Sequence, residues 1–161
     1  MENSLELVTK ISLNAWNTHI DRANKLLGEL TDDQLQLEVS PGRNSGMYLL
    51  GHLAAVHDAM LPLLGLGEKL YPQLEPIFIR TPDKSGLEKP AIADLRNYWN
   101  KVNNRLAEHF SKLSPGDWLE KHNSVSEEDF KKEPNRNKLG VLISRTNHLA
   151  SHMSQLLFLK N

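Results

Sequence analysis

Apolar residues recur at spacings of three and four along four stretches of this chain, which is the pattern of helices that bury one face. We predict these helices over about residues 4–30, 45–64, 90–113 and 139–159. No segment shows the strict alternation that is typical of a β-strand. The pattern therefore predicts one all-α domain, a helical bundle that spans residues 1–161.

Turn-forming residues mark several of the expected helix ends. Pro41-Gly42 precedes the second helix, and Asn44 or Ser45 is a suitable N-cap for it. Pro90 is a good first-turn residue for the third helix, and Ser114-Pro115-Gly116 stops that helix. The links before the third and fourth helices are each roughly 25 residues long, beyond the usual 2–8 between bundle neighbours, so crossover connections are permitted.

The apolar faces differ in width from helix to helix. Apolar residues surround most of the second helix, which predicts a buried central helix. The faces of the first and fourth helices include Ile11, Ile143 and Leu157. Within the links, Ile77-Phe78-Ile79 stands in a Pro-rich stretch and is predicted to be irregular or edge-like, whereas the charge pattern of 127–132 predicts one or two helical turns. Three tryptophans are assigned to the core and its interfaces: Trp16, Trp99 and Trp118.

Composition narrows the classes of function. The 161 residues include 19 Lys and Arg against 20 Asp and Glu, so no basic excess exists to neutralise nucleic-acid phosphates. The absence of cysteine excludes disulfides and thiolate metal sites, and any thiol chemistry must bring its thiol from outside. No apolar run approaches about 18 residues, and the first residues do not read as a signal peptide. We therefore expect a cytoplasmic protein that binds neither nucleic acid nor membrane.

Two of the seven histidines stand four residues apart, His148 and His152. On a helix this spacing puts both imidazoles on one face, within reach of one metal ion. Arg145 and Gln155 extend that face into a polar stripe about 80° wide. Such a stripe either borders a cleft or faces water, and the spacing alone does not decide between them.

His52 lies in the most apolar part of the second helix, between Gly51 and Leu53. A lone histidine in such company is commonly a core residue with a satisfied hydrogen bond, because an unpaired buried imidazole costs a few kcal/mol. A metal ion shared with the pair on the fourth helix is the alternative. Gly51 would let a neighbouring element approach the helix closely.

Two short motifs resemble those of the DinB/YfiT-like superfamily of metalloenzymes. The stretch from Pro41-Gly42-Arg43-Asn44-Ser45 into Leu50-Gly51-His52-Leu53 is similar to that family's second helix. The stretch 148–155 is similar to its last helix, with the pattern His-x-x-x-His-x-Gly-Gln, except that Ser154 stands where the family usually has Gly. The departure puts local packing in question and leaves the ligands in place.

The resemblance implies a four-helix bundle of up-down-down-up topology with a three-histidine site, which here is His52, His148 and His152. It implies a divalent metal without choosing which one, and we expect zinc or nickel first and iron or manganese next. Such an ion with open positions activates water, acts as a Lewis acid or binds an incoming thiolate. Family members include bacillithiol S-transferases and the mycothiol-dependent maleylpyruvate isomerase, so a small-molecule substrate or thiol cofactor and a homodimer are expected.

Other polar residues near the three histidines are candidates for supporting roles. Gln155 can form a hydrogen bond with a ligand or the substrate. His19 can line the pocket or serve as a fourth ligand, and the alternative is a hydrogen bond at the edge of the core. Asp58 can act as an acid or base, and the alternative is a solvated position. His57 is too far around its helix to share the ion, and we expect it at solvent or an interface. Arg145 either binds an anionic substrate or sits at the surface, and the surface is favoured.

Two classes of function remain open at this stage. One is a metal-dependent enzyme, a low-molecular-weight thiol S-transferase or a hydrolase. The other is a non-catalytic, dimeric bundle that binds metal or ligand, which is suggested by the lack of an obvious general base beside the histidines.

Overall fold

A computed structural model describes residues 3–160, which form four long helices and three short ones joined by turns. The long helices are α1 (Ser4–Glu29), α3 (Gly46–Leu63), α5 (Ile92–Phe110) and α7 (Lys138–Leu156). The short ones are α2 (Asp32–Gln36), α4 (Leu74–Phe78) and α6 (Glu127–Lys132). Within residues 3–160 there is no β-strand, only two isolated bridges, so the all-α fold is confirmed.

Side-chain caps fix the starts of the helices that matter for the site. The Ser45 hydroxyl accepts a hydrogen bond from the Tyr48 amide at 3.1 Å, so the predicted N-cap of α3 is confirmed. The Asn137 side chain accepts from the Gly140 amide at 2.8 Å and opens α7. These caps set the register in which α3 and α7 present their histidines.

The predicted third helix is shorter at both ends in the structure. It begins at Ile92, because Ala91 is extended and acts as its N-cap, and Pro90 lies outside it. It ends at Phe110, with Ser111 as its C-cap, before the predicted stop at Ser114-Pro115-Gly116. The amide of Ser114 donates instead to the Asp117 carboxylate at 2.7 Å.

The prediction of irregular structure at 77–79 is wrong, because Leu74–Phe78 is the helix α4. Pro76 is tolerated there because it lies in the first turn, where its missing amide would have no partner in the helix. Phe78 is fully buried against α3. The helical turns expected over 127–132 are confirmed as α6.

Helix α3 runs through the centre of the fold and packs against α2, α4, α5 and α7, as its wide apolar surface predicts. Helix α1 packs mainly on α7. The three tryptophans are buried, with at most 3% of any side chain exposed. Among the described residues, no helix is both long and apolar enough to cross a membrane.

The predicted core faces of α1 and α7 are wider than the faces the fold buries. Ile11 is 58% exposed and Ile143 is 45% exposed, contrary to the prediction. Leu157 falls just beyond the end of α7 and is 55% exposed. These side chains lie at the edges of the apolar face of each helix, where no described helix packs against them.

Candidate metal centre

The structure brings His52 of α3 together with His148 and His152 of α7. The Nε2 atom of His148 lies 3.1 Å from Nε2 of His52 and 3.1 Å from Nε2 of His152. One ring nitrogen from each residue falls within 4.8 Å of the others. All three side chains are half-buried. Residues 96 positions apart in sequence therefore converge on one point.

The spacing of the nitrogens matches that required by a shared ion. Two imidazole nitrogens that each lie about 2.1 Å from one ion, at a bond angle of about 95–110°, are separated by about 3.1–3.4 Å. The structure gives 3.1 Å for both measured pairs. The donor set also suits a divalent metal, because it consists of imidazole nitrogens alone.

The second nitrogen of His52 identifies its tautomer. Its Nδ1 lies 2.7 Å from the carbonyl oxygen of Phe78 and must donate, since a carbonyl only accepts. The Nε2 of the neutral ring then carries a lone pair, which is directed at His148. Metal-bound histidines typically donate their other N–H to a carbonyl or carboxylate in this way.

Gln155 holds His152 in the same manner. The Nδ1 of His152 lies 2.7 Å from Oε1 of Gln155, so that N–H donates to the amide oxygen and Nε2 keeps its lone pair. Lone pairs from His52 and His152 thus both point at Nε2 of His148, which carries one hydrogen at most. The group lacks a positive centre between its nitrogens, a position that a metal ion could occupy.

Two residues next to this group take positions that bear on its shape. Gly51 lies against Phe78, and a Cβ at Gly51 would come under 3.0 Å from three atoms of the Phe78 ring. The close approach expected beside Gly51 is therefore that of α4, which delivers the carbonyl that His52 needs. Ser154 is exposed and its hydroxyl donates to the Ala150 carbonyl at 3.1 Å, so the serine does not disturb a helix contact.

Burial keeps His148 and His52 neutral. It lowers the pKa of His148 to about 4, with further lowering from the positive charges that His152, His52 and Arg145 can carry. Burial is also the main cause that lowers the pKa of His52. Neutral imidazole is the form that binds metal, so these two ligands need not lose a proton at neutral pH.

His57 is fully buried, contrary to the predicted place at solvent or an interface. Its ring lies between Trp16 and Trp99, with centroid distances of 4.9 and 5.0 Å. Its Nδ1 is 2.7 Å from Oδ1 of Asn103, whereas Nε2 is buried without a hydrogen-bond partner. Burial lowers the pKa of His57 to about 3.

Asp58 and His19 are not brought into the histidine group. The Asp58 side chain is 1% exposed, so the solvated placement is wrong. Its two carboxylate oxygens accept the amides of Leu70 and Tyr71 at 2.8 Å each, which fastens the segment that leads to α4. His19 is half-buried on α1, outside the three-residue group.

Two contributors to the site were missed by the sequence analysis. Tyr48 lies nearly parallel to the ring of His52, at 6.2 Å between centroids, and its hydroxyl donates to the Thr81 carbonyl at 2.6 Å. The spacing of four residues from Tyr48 to His52 was the available signal. The second contributor is the carbonyl of Phe78, and a backbone group leaves no sequence signal.

These observations define an all-helical protein with a three-histidine site between two of its long helices. The family model of the DinB superfamily matches residues 15–156. The chain therefore belongs to the DinB superfamily, which confirms the family resemblance. A search of curated proteins finds no match.

Proposed function

We propose that this protein is a metal-dependent enzyme whose divalent ion is held by Nε2 of His52, His148 and His152. The observation that carries the proposal is the convergence of these nitrogens at 3.1 Å, with two of the opposite ring nitrogens tied to acceptors. Zinc or nickel suits three imidazoles best, and iron or manganese are the next candidates. The proposal includes an up-down-down-up four-helix arrangement that supports the site.

The chemistry proposed is that of a low-molecular-weight thiol S-transferase or a hydrolase. Three protein ligands leave open positions, and a bound divalent ion there supplies Lewis acidity to a thiol, water or substrate oxygen. The chain contributes orientation, because the Phe78 carbonyl and Gln155 hold two of the rings, and burial keeps His148 neutral. The lack of cysteine means that a reacting thiol would come from a small molecule.

Metal analysis of protein purified without a histidine tag tests the site. We expect close to one equivalent of metal in the wild type and none in the His148→Ala, His152→Ala double variant. His109→Ala is the matched control, since it removes a histidine of α5 that lies outside the group. Equal metal content in the wild type and the double variant would overturn the proposal.

Activity is tested separately on the metal-loaded protein. Bacillithiol, glutathione and mycothiol are each offered with an electrophile, beside ester and amide substrates for hydrolysis. We expect turnover with one of these classes that disappears in the double variant. Turnover that persists in the double variant would place the reaction elsewhere in the molecule.

A non-catalytic dimer is the second candidate. Two observations favour it: no carboxylate belongs to the histidine group among the described residues, and α1 exposes about half of Leu7, Val8 and Ile11. Light scattering of the wild type and of Ile11→Glu tests the dimer. A dimer that becomes monomeric in the variant, combined with no turnover in the screen, would favour this candidate over the enzyme.

A further inference from the structure

A cavity of about 380 Å³ lies where the end of α3 meets the start of α7. Its walls include Leu63 of α3 and Gly140 and Val141 of α7. A cavity of this size is in the range that takes a small molecule. It is lined by no aspartate or glutamate, and its polar lining includes His122, Ser124, Asn135, Arg136, Ser144 and Arg145.

Arg145 is the unusual residue of this cavity. Its side chain is half-buried, and its Nε is fully buried without a hydrogen-bond partner. No described aspartate or glutamate forms an ion pair with it. The surface position that the sequence favoured is confirmed only in part, because the side chain is half-buried. Burying the Nε–H without a partner is costly, because its lost hydration is not replaced.

Arg136 adds a second positive charge. Its only ion pair with a described residue is to Glu133 at 3.4 Å, and both side chains are substantially exposed, so the pair is weak. The backbone amides at the start of α7 are less available to an anion than their position at a helix N-terminus would indicate. The Gly140 amide is taken by Asn137 and the Lys138 amide by the Glu120 carbonyl at 2.9 Å. The two guanidinium groups are therefore the strongest anion-binding groups of this lining.

We propose that this cavity is a binding site for an oxyanion group of a small molecule, a carboxylate or a phosphate, held by Arg145 with help from Arg136. A guanidinium forms paired hydrogen bonds with either group, and both provide the negative charge that the lining lacks. The site is separate from the metal group, although the two share α7. Arg145 precedes His148 by three residues on α7, and none of the three histidines lines the cavity.

The test measures binding of inorganic phosphate and of succinate to the metal-free protein by NMR titration at constant ionic strength. We expect at least one of them to shift amide signals around Ser144 and Arg145. Arg145→Gln should weaken that binding by about tenfold or more, since a charge-assisted hydrogen bond is lost. Whichever probe binds more tightly identifies the group, phosphate or carboxylate, that the cavity prefers.

Arg105→Gln is the matched control. Arg105 lines a different cavity, on α5, which contains its own carboxylate, Glu108, at 3.8 Å. We expect this variant to bind as the wild type does. The Arg145→Lys variant, which keeps the charge without the paired geometry, should fall between the wild type and Arg145→Gln. Its circular dichroism and that of Arg145→Gln show whether both variants fold.

Two results would overturn the proposal. One is a wild type that binds neither probe, and the other is an Arg145→Gln variant that is folded and binds like the wild type. The His148→Ala, His152→Ala variant separates this proposal from the metal site. If this variant still binds the anion and the metal analysis contradicts the metal site, the cavity proposal holds although the metal proposal does not.

Discussion

His52 and His57 lie five residues apart on the same helix, in the same apolar stretch, and have opposite surroundings. His52 is half-buried and directs a lone pair at His148 of α7. His57 is enclosed by two tryptophans, and its one hydrogen bond goes to Asn103 of α5. Two histidines of one helix therefore differ in their chemistry because they face different neighbouring helices.

His52 and His57 are both neutral, but neutrality has a different consequence for each residue. For His52 neutrality leaves a lone pair available at a place where other lone pairs converge. For His57 the remaining lone pair on Nε2 is enclosed by core and has no partner in the structure. We therefore expect changes at His52 and its partners to affect metal binding, and changes at His57 to affect folding.

The largest expected effect is the loss of metal-dependent stabilisation. An ion that binds only the folded state stabilises it by about 4 kcal/mol at a free concentration of about a thousand times Kd. We expect excess zinc or nickel to raise the Tm of the wild type and to leave that of His148→Ala unchanged. Thermal unfolding with and without metal measures this, with His109→Ala as the control. An equal metal-induced rise in the Tm of His148→Ala would contradict the difference described between the surroundings of His52 and His57.

His57→Ala should destabilise the metal-free protein by about 2–4 kcal/mol, because it leaves a cavity between two tryptophans. The variant also leaves Oδ1 of Asn103 without its donor. His52→Ala, at a half-exposed position, should cost less in the absence of metal. Urea unfolding of both variants gives the comparison. An equal or larger loss in His52→Ala would contradict the assignment of His57 to the core.

Gln155→Ala should weaken metal binding by about 10–100-fold, the range found when a residue that orients a histidine ligand is removed. The reason is that His152 loses the acceptor that fixes its ring and its tautomer. Competition with a chelator of known affinity measures the change. Ser154→Ala, one residue away and exposed, is the control and should bind as the wild type does.

The smallest expected effect is a dependence of stability on pH. Unfolded His57 takes up a proton near pH 6.5, whereas burial keeps the folded residue neutral down to about pH 3. Below pH 6.5 protons therefore favour the unfolded state, and this residue removes up to about 2 kcal/mol of stability between pH 6.5 and 5. Urea unfolding of metal-free protein at several pH values measures the slope. His57→Phe should have a shallower slope, and an unchanged slope would contradict the low pKa of His57.

Much of the fold follows from the sequence, because helix periodicity and caps are local properties. The four long helices, the Ser45 cap and the turns at 127–132 were all predicted from neighbouring residues. The convergence of His52 with the pair on α7 came from the family resemblance. Spacing alone joined only His148 to His152.

The remaining features depend on contacts between distant segments, which a single sequence does not encode locally. The helix α4 was missed because its Pro-rich sequence predicts irregular structure. The burial of its phenylalanine against α3 leaves no signal in the local sequence. The burial of His57 and Asp58 was missed because their hydrogen-bond partners lie on other segments, Asn103 for Nδ1 of His57 and the amides of Leu70 and Tyr71 for Asp58.

The two amide hydrogen bonds of Asp58 have a consequence for the dynamics of the site. They tie the start of the 64–91 connection to α3, and the far end of α4 then supplies the carbonyl that holds His52. One helix therefore carries a histidine of the site and anchors the segment that orients it. Local opening of that segment would free the ring of His52 to rotate, so the lifetime of an ion bound as proposed would depend on the opening rate of the 64–91 connection.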